Sequence, residues 1–568
     1  MSFNFACYFP AENPIFLSIN IDAEQRVDQL TKAIQAELRL YGQEVSLRDI
    51  LLFKTDVLLD PKESLQSRSL LGPHPPSDDM LDIIIADTEV LELRDGLGDP
   101  YDRYKRKIKK ALDKCLNDLP PGYSPSEIVK SPKIQAQLLG GKEHLIHLGR
   151  PGGAPATIFN PALAGLQKRL DDLEKVEVTR QEIERAADYI QETVKFHDDE
   201  AQLQRVIQDI LDQAIGGNGD WGRTLDWADN IKPDRPWWYQ AFLILVLELK
   251  NTLGLSGDAL LQAVIDYSKV VSREKYMDFR GLCNFPIVLI GATANRLEIS
   301  VAVCVGPIYV TKLLTLDLSL GFHASDNIIR LARVFNVLSS CRTDLQDYYN
   351  KLDKSKTPKL SALYPSPTLA DPSKVLPQLT YRQFLTRAGQ PTSSLVDLGN
   401  TTSALYIATL GDTDQEVIVK FTARYNKAAH CLLADAQLAP KLHFCERVIG
   451  DLFMVVMDRV DGKSVWQLRQ DKEPVPATVW NKVTEAVQIL HGNDIVFGDL
   501  RHPNILYIAS KDHVVLVDFD WAGKDGESRY PASLNLANIW SDEVLPNGIM
   551  RKSHDLWQLE RLEGKSGS

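Results

Sequence analysis

Three side chains near the end of this 568-residue chain have the types and spacing to transfer a phosphoryl group. Asp499 and Asn504 stand in the pattern D-x-x-x-x-N, and a strand-like run, Val514 to Val517, delivers Asp518 in the sequence Asp-Phe-Asp. In such a set one carboxylate orients and deprotonates an attacking hydroxyl, while the amide and the other carboxylate hold hard metal ions on nucleotide phosphates. The plain alternative is a turn followed by a buried strand that carries acids. A second set lies in mid-chain. The apolar run Leu243 to Leu249 has the character of a strand buried on both faces, yet it carries Glu248, and Lys250 follows it. Burying a glutamate there is costly unless it binds a metal or a partner. Upstream, Pro233-Asp234 completes the pattern P-D-x13-E-L-K.

That pattern resembles the PD-(D/E)xK nucleases, relatives of restriction enzymes, in which two acids bind Mg²⁺ and a lysine positions or activates the attacking water. The helix expected after Lys250 presents Gln262 and Tyr267, and Glu200 lies on the helical segment before the core. Asp220 and Asp226 are alternatives to Asp234 as the first acid. The bland reading is an ordinary α/β domain with Glu248 and Lys250 as a structural ion pair.

The segments around Asp499 follow the order of a protein-kinase-like domain. Glu416 to Lys420 (EVIVK) supplies a strand lysine for nucleotide phosphate, and FMVVMDRVDG reads as a last small-lobe strand entering a hinge. Val396 to Gly399 and Leu405 to Leu410 read as a hairpin-like pair. Three features depart from the kinase pattern. The phosphate-covering loop keeps only Gly399 of a G-x-G-x-x-G. Ala428 and Ala429 stand where a lysine-pairing Glu belongs, leaving Asp435 or nothing as its substitute. The 50 residues after Asp518 are too few for a full peptide-binding lobe.

The remaining chain must position these groups. Residues 1–95 read as a hairpin (alternation at Phe3, Phe5, Cys7, Phe9 and at Ile15, Leu17, Ile19, Ile21), a helix with Val27, Leu30, Ile34 and Leu38 on one face, and further strands near Ile50–Phe53 and Leu81–Ile85. That order is ubiquitin-like. Residues 96–185 begin with a helix at Asp99-Pro100 whose face carries Arg103, Lys105, Arg106, Lys107, Lys109 and Lys110, either a nuclear-import or phosphate-binding patch or a solvated face. A Gly/Pro-rich linker over Gly140 to Pro161 and a helical connector follow. The nuclease-like domain takes 186–353, ending in a long helix capped at Ser325 and Asp326; a Pro-rich linker takes 354–378 and the kinase-like domain 379–568. The whole is a multidomain α+β protein. Its 76 acids against 64 lysines and arginines, a net charge of −12, give no global pull towards nucleic acid, so DNA binding must rest on local patches or metal ions. Seven scattered cysteines without C-x-x-C argue for reduced thiols. No ordinary signal peptide and no membrane-spanning run is expected.

As a whole the chain resembles the Crinkler family of fungal and oomycete effectors. The N-terminal stretch FLSINIDAEQRVDQLTKAIQAEL, the segment LVLELKNTLGLSGDALLQAVIDYSK, and the C-terminal GDLRHPNIL and DFDWAGKDGESRYP carry the likeness. The N-terminal domain shows no LxLFLAK motif. The resemblance implies an effector that leaves its producing cell by an unrecognised route and acts in a host nucleus on DNA, with host nuclear proteins as further partners. It implies Asp234, Glu248 and Lys250, assisted by Glu200 and Gln262, for Mg²⁺-dependent DNA cleavage. It implies Lys420, Gly399, Asn504 and Asp518 for ATP and Mg²⁺, with Asp499 as base. Two other readings stay open: an active kinase with a degenerate nuclease fold, and a non-catalytic interaction protein.

Overall fold

The computed structural model describes residues 2–9, 15–22, 32, 36, 51–54, 83–86, 100–117, 124–133, 135, 146–148, 154–217, 220–223, 225, 231–251, 258–293, 295–318, 324–352, 360–386, 389–392, 395, 403–411, 415–535 and 538–564. The fold is mixed α/β with several sheets, in two compact units, Met1–Tyr104 and Lys105–Ser568.

In the first unit, β1 (Ser2–Phe9) pairs antiparallel with β2 (Ile15–Asp22), at the positions where the alternation places two strands. β3 (Leu51–Lys54) and β4 (Ile83–Ala86) complete a sheet of order β2-β1-β4-β3, in which β1 and β4 run parallel. Of the helix expected over Val27 to Leu38, Lys32 and Ala36 are described, and both are helical.

Helix α1 (Pro100–Asn117) runs across the Tyr104/Lys105 division. Its Ile108, Leu112 and Cys115 are buried while Arg106, Lys107, Lys109 and Lys110 are exposed. α2 (Pro125–Lys130) follows, closed by a capping box between Ser124 and Glu127. A six-stranded sheet of order β5-β10-β9-β8-β7-β6 then forms the centre of the middle part of the chain. Its strands are β5 (Ile146–Leu148), β6 (Arg235–Tyr239), β7 (Phe242–Lys250), β8 (Ile287–Thr293), β9 (Arg296–Cys304) and β10 (Ile308–Asp317). Pairs β7/β8 and β10/β5 are parallel, and the rest antiparallel. β5 and a 3₁₀ turn at Ala156–Ile158 lie inside the Gly140 to Pro161 stretch, which is therefore sheet edge in part rather than free linker. Ile146, fully buried, explains the difference.

One face of β7 and β8 is covered by α6 (Ala259–Val271) and the other by a helical layer. That layer is α3 (Pro161–Asp171), α4 (Arg180–Thr193), α5 (Glu200–Ile215) and the long α7 (Ala324–Asn350), against which the other three pack. Short polar caps start three of these helices and α6: Asn160 accepts from Ala162 N at 3.0 Å, Thr179 shares a capping box with Glu182, and Asp199 and Asp258 accept from Gln202 N and Leu261 N. α7 begins at Ala324, so Ser325 and Asp326 sit in its first turn rather than at its cap. Gly291 of β8 fixes how close α6 can lie, because a Cβ there would meet Leu260 N at 2.8 Å. Every residue of β7 and β8 is buried, which is why the run from Phe242 reads as continuously apolar.

The proline-rich segment is not a free tether where it is described. Leu363, Tyr364 and Leu369 are buried, Ser366 N donates to Ile158 O, and the Tyr364 ring stacks on Phe384 at 4.6 Å. Extended backbone with few N–H groups suits a strap that bonds on alternate sides. A five-stranded antiparallel sheet of order β11-β12-β13-β15-β14 follows. Its members are β11 (Leu379–Leu385), β12 (Ser403–Leu410), β13 (Glu416–Thr422), β14 (Leu442–Val448) and β15 (Leu452–Asp458). The strand paired with Leu405 to Leu410 is β11; Val396 to Gly399 lies outside the described residues. α8 (Lys427–Asp435) connects β13 to β14.

The last part is mainly helical: α9 (Val465–Gln470), α10 (Ala477–Gly492) and α11 (Lys552–Leu562). Short strands β16 (Lys463–Ser464), β17 (Ile495–Val496), β18 (Ile505–Ile508), β19 (His513–Leu516) and β20 (Gly523–Lys524) frame the Asp499 loop. Val483, Leu490, Phe497, Leu516, Phe519 and Leu559 form the core that ties α10 and α11 to that loop. Among the described residues no helix is long and apolar enough to cross a membrane.

Candidate functional sites

Asp234, immediately before edge strand β6, meets Glu248 and Lys250 at the end of the neighbouring strand β7. Leu249 N donates to Asp234 Oδ2 at 2.7 Å, and Asp234 N donates to Glu248 Oε1 at 3.2 Å. Each acid is thus oriented by the other's strand. Gln262 of α6 donates from Nε2 to Glu248 Oε2 at 2.6 Å, and Lys250 Nζ donates to Glu200 Oε2 at 3.2 Å from the first turn of α5. All five residues named from the sequence meet here. Asp220 does not: it pairs with exposed Arg223, and Asp226 lies outside the described residues. Tyr267 is also excluded, because its hydroxyl donates to Phe285 O on the far side of α6.

The residue that the sequence pattern does not reveal is Asp266. It lies four positions after Gln262, hence on the same helix face, and is 1% exposed. No donor bonds to either Asp266 oxygen or to Gln262 Oε1, and the Asp266 carboxyl lies beside that of Glu248. Burial, reinforced by the charges of Asp234 and Asp266, holds the Glu248 carboxyl well above the ordinary carboxylate range. Burial pushes the Asp266 carboxyl up to about 7. Burial also raises Asp234, against the opposing pull of the Leu249 amide and Lys250.

In the C-terminal part, β13 delivers Lys420 and the turn after β19 delivers Asp518. Lys420 Nζ donates to Asp518 Oδ1 at 2.7 Å and to Asp520 Oδ1 at 2.6 Å. Thr422 Oγ1 donates to the other Asp520 oxygen at 2.7 Å. The partner sought for Lys420 on α8 is therefore supplied by the second acid of Asp-Phe-Asp, and Asp435 takes no part. Asn504 Nδ2 donates to Asp499 O and Oδ2, both at 2.9 Å. Arg501 grips the Asp499 carboxylate with both arms, from Nε and from Nη2, the latter at 2.6 Å. Gly399 lies outside the described residues.

Burial lowers the Lys420 ammonium, but Asp518 and Asp520 more than offset this and leave it above its ordinary value. Burial beside Asp518 pushes Asp520 up to about 7, and burial raises Asp499 despite Arg501. The loop itself hangs from Asp555 of α11, which is 1% exposed and accepts from Phe497 N at 2.7 Å, Gly498 N at 2.9 Å and His491 Nε2 at 3.0 Å. Gly498 is required there, with φ of +77° and Met550 where a Cβ would stand.

Both sites offer hard oxygen donors of the kind Mg²⁺ prefers. Among the described residues no group of three or more His, Cys, Asp or Glu side chains is spaced to hold a metal ion. The middle site has donors to spare in Asp266 and Gln262 Oε1; in the C-terminal site Lys420 and Thr422 engage the acids.

No family model matches the chain, and no curated protein matches it. Among solved structures it is similar to the kinase PK-1 of Cydia pomonella granulovirus, at 19% identity and a TM-score of 0.25. The match covers 28% of this chain and 63% of that one, under two thirds of its length. A likeness at that score carries no argument about activity.

Proposed function

We propose that the middle domain is a PD-(D/E)xK-type, Mg²⁺-dependent DNA nuclease in a Crinkler-type effector acting in the host nucleus. A ubiquitin-like N-terminal domain precedes it and a kinase-like, nucleotide-binding domain follows. The observation that carries this is the convergence of Asp234, Glu248, Lys250 and Gln262 at one sheet edge, with a glutamate that is fully buried and has no cationic partner bonded to it. The strand order β6-β7-β8 with α6 as the crossover, and the parallel β7/β8 pair, support the same reading. Mg²⁺ would bind Asp234 and Glu248 and supply a Lewis acid for the scissile phosphate and a more acidic bound water. Lys250, held by Glu200, would orient the attacking water, and Gln262 fixes the Glu248 rotamer. Exposed basic residues of α1 suit DNA phosphate or nuclear import.

A second reading, an active kinase, has its own support: the sheet order β11-β12-β13-β15-β14, with α8 between β13 and β14, and the meeting of Lys420, Asp518, Asp499 and Asn504. Against it, Arg501 neutralises the proposed base and Lys420 is locked by two aspartates. Nucleotide binding fits this arrangement better than turnover. One experiment separates the readings. Supercoiled plasmid is incubated with the protein and Mg²⁺, with and without ATP, beside Glu248→Ala and Asp499→Ala. Cleavage lost only in Glu248→Ala supports the nuclease. Undiminished cleavage in Glu248→Ala overturns it, and ATP turnover without cleavage selects the kinase.

A further inference from the structure

Between α2 and α6 lies a cavity of about 190 Å³, lined by Pro125, Ser126, Lys232, Gln262 and Asp266. We propose that it is a second cation site, taking Mg²⁺ or Mn²⁺ on the Asp266 carboxylate and Gln262 Oε1, with Glu248 shared with the first. The proposal rests on the nuclease reading through that shared glutamate, and it adds a metal and a ligand that the P-D…E-x-K pattern does not contain.

Three observations point to a cation rather than another ligand. First, no N–H or hydroxyl donor reaches either Asp266 oxygen or Gln262 Oε1, on residues 1% and 8% exposed, and the side chain beside the Asp266 carboxyl is that of Glu248, so a cation or a shared proton must lie between the two acids. Buried acceptors without partners are rare in folded proteins, and an ion is one of the few occupants that explains them. A water could satisfy one oxygen, but once the pair of carboxyls ionises it would leave their charge unopposed. Second, the nearby ammoniums are shared with other acids or with solvent. Lys250 pairs with Glu200, and Lys269 lies within electrostatic reach of Glu127 on α2 as well as of Asp266. Lys232 lines the cavity but is exposed, so solvent screens its charge. When ionised, the carboxyls of Asp234, Glu248 and Asp266 therefore outweigh the cations that face them. Third, the donors are carboxylate, amide and hydroxyl oxygens, which favour hard cations, and the volume admits an ion that keeps several waters, at roughly 30 Å³ each. Two ions sharing a carboxylate would clamp the attacking and leaving oxygens of a phosphodiester.

The test counts bound Mn²⁺ by electron paramagnetic resonance on the EDTA-stripped full-length chain. Asp266→Asn should bind one Mn²⁺ fewer than wild type, while Asp234→Asn retains the Asp266 site. Equal counts in wild type and Asp266→Asn overturn the proposal. Should circular dichroism show Asp266→Asn unfolded, Gln262→Ala decides: its weakest Mn²⁺ should bind at least about tenfold less tightly, and unchanged affinity overturns the proposal. A chain that shows the Asp266-dependent Mn²⁺ but cleaves no DNA would refute the nuclease reading and leave this site standing.

Discussion

The two acid-and-lysine sites of this chain solve opposite electrostatic problems. In the C-terminal site Lys420 sits between Asp518 and Asp520, and Arg501 embraces Asp499, so every acid there except the backbone-bound Asp555 has a cation at hand. In the middle site Glu248 and Asp266 face each other in the protein interior, and the one lysine of the motif is turned towards Glu200. A site that neutralises itself must break ion pairs to admit Mg²⁺ and a nucleotide. A site with surplus buried carboxylate gains stability from the same ion. The difference teaches that the presence of the right residues does not make two sites equally ready for a metal.

That contrast can be broken or sharpened. The largest effect is expected from Lys250→Ala, which should lower Mg²⁺-dependent plasmid cleavage by about 10²–10⁴-fold, the range for loss of a group that moves or orients a proton; a nicking time course reads it. The pH dependence of stability comes next. Glu248 and Asp266 have carboxyls raised in the fold, Asp266 from 3.8 to about 7, so the folded state holds more protons than the unfolded one across that window. Stability in EDTA should therefore be full below about pH 4 and fall towards pH 7, by at most roughly 1.4 kcal/mol per pH unit for Asp266, with Glu248 acting in the same direction. The charged groups facing this pair are Asp234, Lys250 and Lys269. Saturating Mn²⁺ should flatten the slope, and Asp266→Asn should reduce it; urea melts at several pH values measure both. Asp520 contributes a similar slope through the C-terminal part, which Asp520→Asn isolates.

Asp555→Ala should destabilise the C-terminal part by about 2–3 kcal/mol, because it leaves the Phe497 and Gly498 amides buried without an acceptor. Chemical denaturation followed by tryptophan fluorescence tests it. The smallest effect is expected for Lys420→Ala: about a tenfold weaker Kd for Mg·ATP, near 1.4 kcal/mol, since the lysine gives up two carboxylates to reach phosphate. A fluorescent nucleotide titration reads it, and tighter binding in the variant would show the Lys420 clamp to be a block.

What could be read from the sequence follows from what each signal depends on. Glu248 is visible because an acid interrupts an apolar run, and Asp499, Asn504 and Asp518 because they lie close in sequence on one loop and hairpin. Asp266 is hidden because an acid in a helix ordinarily means a solvated face, and only the packing of α6 on β7 reveals that it points inward. Choosing Tyr267 from the same helix errs by one position, about 100° of rotation. Asp520 is hidden because its role is set by Lys420, which lies 100 residues away in sequence. Asp555 reaches the loop from α11, a distance no local pattern encodes. The strand Leu379 to Leu385 is hard to read because it follows a proline-rich segment, and β5 because three residues carry too little alternation.

The most direct measurement of the central claim is Mg²⁺-titrated cleavage of supercoiled plasmid by wild type and Glu248→Ala, both shown folded by circular dichroism. Wild type should convert supercoiled to nicked or linear DNA in a Mg²⁺-saturable, EDTA-reversible manner, with Glu248→Ala at background. Equal conversion by the two proteins, or no conversion by wild type at any Mg²⁺ or Mn²⁺ concentration, would contradict the account.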